Sequence, residues 1–142
     1  MGFRKGLAAV AGVIVASAWL VGSAAPASAA GKCGNGYKLV GTYDIKLQGA
    51  EYGTLEISWN SSKGRNCAVA YGRGSTYGAK AYKSVRIKTT GASSWADSDH
   101  GEFKYYAGPV YVSARNKCIT VLATVKGSGG YGDVRLNGAH CD

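Results

Sequence analysis

Apolar side chains recur at every second position in several separate stretches of this 142-residue chain. A period of two places successive side chains on opposite faces of a strand, so each stretch predicts a half-buried β-strand. No helical period competes with this pattern after residue 30. The alternating stretches are residues 43–47, 55–59, 85–87, 119–125 and 134–136. About seven short strands separated by glycine-rich turns predict an all-β fold, a small antiparallel sandwich or barrel.

Residues 103–119 carry the densest strand signal in the chain, because aromatic and β-branched residues suit a pleated, half-buried surface. Gly108-Pro109 stands in the middle of this segment. Proline has no N–H for a ladder, so the pair predicts a break between two strands. Arg115-Asn116-Lys117 then predicts a turn, after which Cys118 fixes the start of the next strand.

The segment before it, residues 91–102, is polar and is predicted to be irregular. Its large apolar residue, Trp95, is expected to plug one end of the core. The run from Asp97 to Glu102 places oxygen-bearing side chains at alternate positions with a glycine, which suits a calcium loop in kind. It lacks the twelve-residue EF-hand pattern, so a solvated acidic turn is the favoured interpretation.

The N-terminal residues are predicted to be a cleaved signal peptide spanning residues 1–29. Arg4 and Lys5 form a short positive region, an apolar run follows to about Val21, and Ala27-Ser28-Ala29 fits an A-x-A cleavage site. What remains, residues 30–142, is long enough for one secreted β domain with one modest core. No second apolar stretch is long enough to span a bilayer, so no membrane insertion is expected.

Four cysteines lie in this domain: Cys33, Cys67, Cys118 and Cys141. An even number in a small exported chain predicts disulfides. Metal binding is the alternative, but it requires paired Cys-x-x-Cys or Cys/His spacing, and these cysteines are dispersed. A last hairpin centred near Gly129-Gly130 would bring Cys118 opposite Cys141, within reach of a bridge. Cys33 and Cys67 then pair by elimination.

The chain is basic, with 17 Lys and Arg against eight Asp and Glu. Removal of Arg4 and Lys5 with the signal would leave 15 basic and eight acidic residues, a net charge of +7. Such a protein can bind anionic cell-wall polymers, although charge also serves solubility. Arg86 and Lys88 fall on the outward face of one predicted strand. There they could bind a partner or protect an exposed sheet edge from aggregation.

No catalytic constellation stands out. The serines lack a nucleophile-elbow motif, and the cysteines are assigned to bridges. Asp97, Asp99 and Glu102 could supply paired carboxylates for a hydrolase with His100, but they crowd into one segment. We therefore expect no enzyme activity, no cofactor and no metal. Tyrosines interleaved with basic residues could stack on bases, but no nucleic-acid-binding motif is present, so no nucleic acid is expected as a partner.

The chain resembles the spore-associated protein A family of actinobacteria at residues 105–114, Tyr-Tyr-Ala-Gly-Pro-Val-Tyr-Val-Ser-Ala, followed by Lys117-Cys118-Ile119. The similarity extends to residues 60–67, to Ser93-Ser94-Trp95 and to the terminal His-Cys. The resemblance implies a small exported β protein found with spores or in the medium, with no catalytic residues to carry over. The chain departs from the family in being more basic. It also has Thr120-Val121 where closer members are expected to carry Asp-Trp.

Two functional hypotheses follow. The first is a non-enzymatic, secreted structural or interaction protein, held on the spore or cell surface by an anionic polymer. The second is a small binding subunit of a secreted assembly, such as an antibacterial toxin complex or a protease–inhibitor pair, because stapled β domains present loops or strand edges to partners. The glycine-rich loops 73–79 and 127–132 and the basic strand face supply the candidate contact residues: Arg73, Tyr77, Arg86, Lys88 and Tyr131.

Overall fold

The computed structural model describes residues 29–141, and the predicted signal peptide lies almost wholly outside them. The described chain begins with a short helix, α1, and a single 3-10 turn stands between the third and fourth strands, at Gly74–Thr76. The elements in chain order are α1 Ala29–Cys33, β1 Lys38–Leu47, β2 Ala50–Asn60, β3 Arg65–Gly72, β4 Ala81–Thr89, β5 Asp97–Phe103, β6 Tyr106–Ser113, β7 Ile119–Gly127 and β8 Gly130–Ala139.

All eight strands belong to one antiparallel sheet with the order β5-β4-β7-β8-β1-β2-β3-β6, which curls into a nearly closed barrel. The sheet has two well-paired halves, β5-β4-β7-β8 and β1-β2-β3-β6. They are joined at β8–β1 by a single register pair, Lys46 with Asp133. The predicted all-β class is confirmed, with eight strands where about seven were expected.

The barrel interior is filled by the inward positions of the alternating stretches. Ile45, Leu55 and Ile57 from one half meet Val85, Val121 and Val125 from the other, all with no exposed surface. The partly buried Val134 and Leu136 pack against this cluster from β8. Burial of apolar surface from both halves is therefore what holds the two halves of the sheet together.

The prediction that residues 91–102 are irregular is wrong for their second half, because Asp97–Phe103 forms β5 and pairs with β4 along its whole length. The side chains of Asp97 and Asp99 explain its polar sequence. The Asp99 carboxylate accepts a hydrogen bond from Gly108 N at 2.8 Å, and the Asp97 carboxylate accepts one from Tyr111 N at 3.0 Å. Two carboxylates thus tie β5 to β6 where no backbone ladder does. These residues form neither a calcium loop nor a solvated acidic turn.

The predicted strand break at Gly108-Pro109 is also wrong, because β6 runs through both residues. The β3–β6 pairing is irregular at this point, because two β6 residues, Gly108 and Pro109, stand opposite Val69 alone on β3. β6 is the last strand of the sheet and has a backbone ladder only with β3. The missing N–H of Pro109 therefore costs no ladder hydrogen bond on the side of β6 away from β3. The chain turns earlier than expected, at Lys104 and Tyr105, between β5 and β6.

Both predicted disulfides are present, Cys33–Cys67 and Cys118–Cys141. The first holds α1 against the outer face of β3. A small second core forms there from Cys33, Tyr37, Cys67 and Val69. Tyr111 Oη donates a hydrogen bond to Cys33 O at 2.8 Å, which fixes the helix end to β6 as well. β3 is consequently covered on both of its faces.

One lysine is fully buried inside the barrel. Lys83 Nζ donates a hydrogen bond to Phe103 O at 2.7 Å. Burial lowers the pKa of Lys83, and the nearby Glu102 carboxylate opposes that change. Gly72 makes the room for this side chain, since a Cβ there would lie 2.7 Å from Lys83 Cε and press against the Thr76 carbonyl.

Across residues 29–141, no helix has the length and apolar character needed to cross a membrane.

Candidate functional site

The outer face of the β5-β4-β7-β8 half carries polar side chains. β4 points Ser84 and Arg86 outward because their neighbours Val85 and Ile87 enter the core. β4 pairs with β5 on one side and with β7 on the other, so it is not a sheet edge. Protection of an exposed sheet edge from aggregation therefore does not explain the basic residues of this strand. The alternative prediction, that they bind a partner, remains.

A groove of about 630 Å³ lies along this face. Tyr82 and Tyr131 stand at one end of it, with ring centroids 5.9 Å apart in an edge-to-face arrangement. Arg86 stands at the other end, four residues further along β4. Short polar side chains and one histidine line the groove between them: Ser84, Ser98, His100 and Thr124. The groove thus joins an aromatic end to a cationic end across hydroxyl groups.

The cationic end continues beyond the groove through Trp95. Arg86 Cζ lies 4.9 Å and Lys88 Nζ 5.0 Å from the centre of the Trp95 ring. Lys88 Nζ also donates a hydrogen bond to Ala92 O at 2.9 Å. The prediction that Trp95 plugs the core is wrong, because its indole lies on the outer surface beneath two cations. Their attraction to the ring holds both cations in place without cancelling their charge.

The charge at this end is not balanced by acidic groups. No carboxylate within the described residues lies within 4 Å of the Arg86 or Lys88 nitrogens, since the ion pairs formed there all join Asp44 or Glu51 to Lys46 or Arg73. Asp99, which borders the groove, directs its carboxylate to Gly108 N. Arg86 and Lys88 are therefore available to an anionic partner.

Arg73 differs from these two cations. Its Nη1 atom lies 2.8 Å from Glu51 Oε2 and 3.2 Å from Asp44 Oδ1, so its charge is already compensated on the barrel surface. Tyr77 projects nearby with 56% of its surface exposed and stacks edge-to-face on Tyr105. The structure thus separates the five predicted contact residues. Arg86 and Tyr131 line the groove, Lys88 adjoins it, and Arg73 and Tyr77 lie outside it.

The two glycine-rich loops predicted to make contacts lie side by side at one end of the barrel. Tyr52 links them: its carbonyl accepts a hydrogen bond from Thr76 Oγ1, and its hydroxyl accepts one from Gly129 N. A smaller hollow of about 320 Å³ lies between the loops and shares Tyr82 with the groove. Tyr82 itself was not predicted as a contact residue, although extending the β4 alternation by one outward position would have found it.

The site lacks an assembled catalytic group. Ser84 on β4 stands opposite His100 on β5, but no hydrogen bond joins the two side chains, and no carboxylate of residues 29–141 orients the His100 ring. Nor does any cluster of three or more His, Cys, Asp or Glu able to hold a metal ion occur in the part of the chain that the structure describes. The described side chains of Ser84 and His100 are therefore not arranged as a hydrogen-bonded nucleophile and base.

The chain is similar to a curated protein, spore-associated protein A of Streptomyces coelicolor. The two are 40% identical over 96 residues, which are 67% of this chain and 57% of the relative. The chain therefore matches little more than half of the length of that relative. No protein-family model matches the chain, and no solved structure matches it.

Proposed function

Because the chain is related to the spore-associated protein A family, as its sequence resemblance predicted, we propose that it is a non-enzymatic exported protein held on the spore or cell surface. The observation that carries the proposal is the 40% identity to a protein whose name places it with spores. Two disulfides fit an oxidising, extracellular location.

The means of attachment is electrostatic. The chain carries 17 basic and eight acidic residues, and Arg86 and Lys88 lack a carboxylate partner among the described residues. Walls and spore coats rich in phosphate or carboxylate polymers attract such a surface, and salt weakens the attraction where the charges are exposed. The lack of a hydrogen bond between the Ser84 and His100 side chains supports the proposed non-enzymatic role.

Co-sedimentation tests the proposal. The mature protein is mixed with spores, with wall fragments and with medium from the producing organism at about 20 mM and about 500 mM NaCl, a range that shortens the Debye length several-fold. We expect retention in the spore or wall fraction at low salt and release at high salt. Recovery from the medium in a complex with a protein partner that survives high salt would overturn the proposal in favour of an assembly subunit.

A further inference from the structure

We propose that the groove between Tyr82 and Arg86 binds an anionic glycan chain. Sugar rings would pack on Tyr82 and Tyr131, and a carboxylate or phosphate of the same chain would bind Arg86. This inference rests on the proposed function and deepens it, because it replaces a general charge attraction with one site of defined chemistry.

The dimensions of the groove suit a short oligosaccharide. Tyr82 and Arg86 are four residues apart on β4, about 13 Å at the usual strand rise. The volume of about 630 Å³ falls within the range of small-molecule sites.

The groove's surface chemistry selects a sugar over a protein. Tyr131 is 53% exposed and is held edge-to-face against Tyr82, which gives two rigid amphipathic rings at low entropic cost. Hydroxyl groups of Ser84, Ser98 and Thr124 line the groove beyond them. A stable protein interface needs an extended patch with an apolar core, and this face offers no large exposed apolar side chain except Tyr131.

The distribution of charge along the groove determines which sign of ligand charge is bound and in which direction the ligand lies. Arg86 is free of carboxylates at one end, is held by the Trp95 ring and can bind a carboxylate or phosphate through two N–H groups. At the tyrosine end, exposed Glu102 lies opposite Tyr82 and Lys126 Nζ lies 5.6 Å from the centre of the Tyr131 ring, so charges of opposite sign offset each other there. Asp133 lies opposite Thr124, between the two ends. The acidic group of the ligand is therefore expected at the Arg86 end, with neutral rings on the tyrosines.

Titration calorimetry at about 150 mM NaCl, where long-range charge effects are screened, tests the site. Three probes of similar length are compared. Oligogalacturonate carries carboxylates, and oligo(glycerol phosphate) with glucose substituents carries phosphates. The third probe is a neutral gluco-oligosaccharide. We expect at least one anionic probe to bind and the neutral one to bind at least tenfold more weakly. The better anionic probe identifies the source of the charge. Failure of both anionic probes to bind would overturn the inference.

Matched variants distinguish binding in the groove from attraction to the overall positive charge of the protein. Tyr131→Ala and Arg86→Ser are each expected to weaken binding about tenfold. Two controls should leave the affinity within twofold of wild type. Tyr77→Ala removes an equally exposed tyrosine of another edge-to-face pair, and the double variant Lys63→Ser/Lys117→Ser removes two exposed charges outside the groove. Equal losses in the groove and control variants would show charge attraction alone and refute the site. Near-ultraviolet circular dichroism checks that each variant is folded.

The two proposals fail in different ways. If wild-type protein binds an anionic probe and the Tyr131→Ala and Arg86→Ser variants do not, yet none of them sediments with spores, the site stands and the surface location is wrong. If the wild type and both variants sediment equally well at low salt and none binds a probe, the surface location stands and the glycan site is wrong.

Discussion

The β5–β6 seam gives the sharpest test of how this barrel is held together. Asp97 and Asp99 accept backbone hydrogen bonds from Tyr111 and Gly108 at 3.0 and 2.8 Å. A hydrogen bond to a charged group contributes about 1.5–3 kcal/mol, and the lower figure applies because these bonds are only partly buried. Replacing both residues by alanine should therefore lower the free energy of unfolding by about 3 kcal/mol. For a domain of this size, that corresponds to a fall in Tm of about 12 °C.

The assay is thermal unfolding followed by circular dichroism, together with amide hydrogen exchange by NMR. Asp97→Ala/Asp99→Ala should lose protection at the Gly108 and Tyr111 amides before the rest of the sheet opens. The corresponding asparagine variants keep an acceptor oxygen and should lose less than half as much stability. Asp133→Ala is the control, since it removes an exposed carboxylate that makes no side-chain hydrogen bond within residues 29–141. A double alanine variant that melts within 2 °C of this control would refute the role of the carboxylates.

Three further predictions follow from buried or bridged residues. Because burial lowers the pKa of Lys83, its charge costs stability at neutral pH, and that cost is relieved as pH rises towards 10.5. Urea unfolding at pH 7 and pH 10 should show a gain for wild type relative to Lys83→Met, and equal pH responses would contradict this. Cys118→Ser/Cys141→Ser should lose roughly 3.5 kcal/mol of stability in the same urea assay, because the bridge restricts the unfolded chain, and an unchanged stability would contradict this. Gly72→Ala should cost about 3 kcal/mol through its clash with Thr76. A melting temperature within 3 °C of wild type would refute the clash.

Regular alternation was enough to predict the all-β class, the inward residues of β7 and both disulfides. These features depend only on the local period of apolar residues and on the pairing of the β7–β8 hairpin. The existence of β4 was also predicted, because Val85 and Ile87 alternate with polar residues over a segment flanked by turns.

β5 could not be predicted from local sequence, because it contains aspartate, serine and histidine in place of β-formers. Its stability comes from β4 on one side and from two carboxylate contacts to β6, residues nine and fourteen positions further along the chain. Lys83 was not predicted to be buried for a similar reason. Its burial depends on the space at Gly72 and on the Phe103 carbonyl, which only the folded barrel brings together.

The candidate site was predicted in part. Arg86, Lys88 and Tyr131 were identified by their chemistry, but their neighbours come from four different strands, and no local pattern shows which of them meet. Arg73 illustrates the opposite error. Its sequence suggests a free cation, and only the pairing of β1 with β2 places Asp44 and Glu51 beside it.

The Cys33–Cys67 bridge gives the barrel a direction. It anchors α1 on the outer wall formed by β2 and β3, which the strand order places across the barrel from the groove on β4 and β7. A label or tether attached to α1 therefore departs from the back of the molecule. Copies of the protein seated by their grooves would all turn α1 and the Cys33–Cys67 bridge away from the surface beneath them, in one orientation.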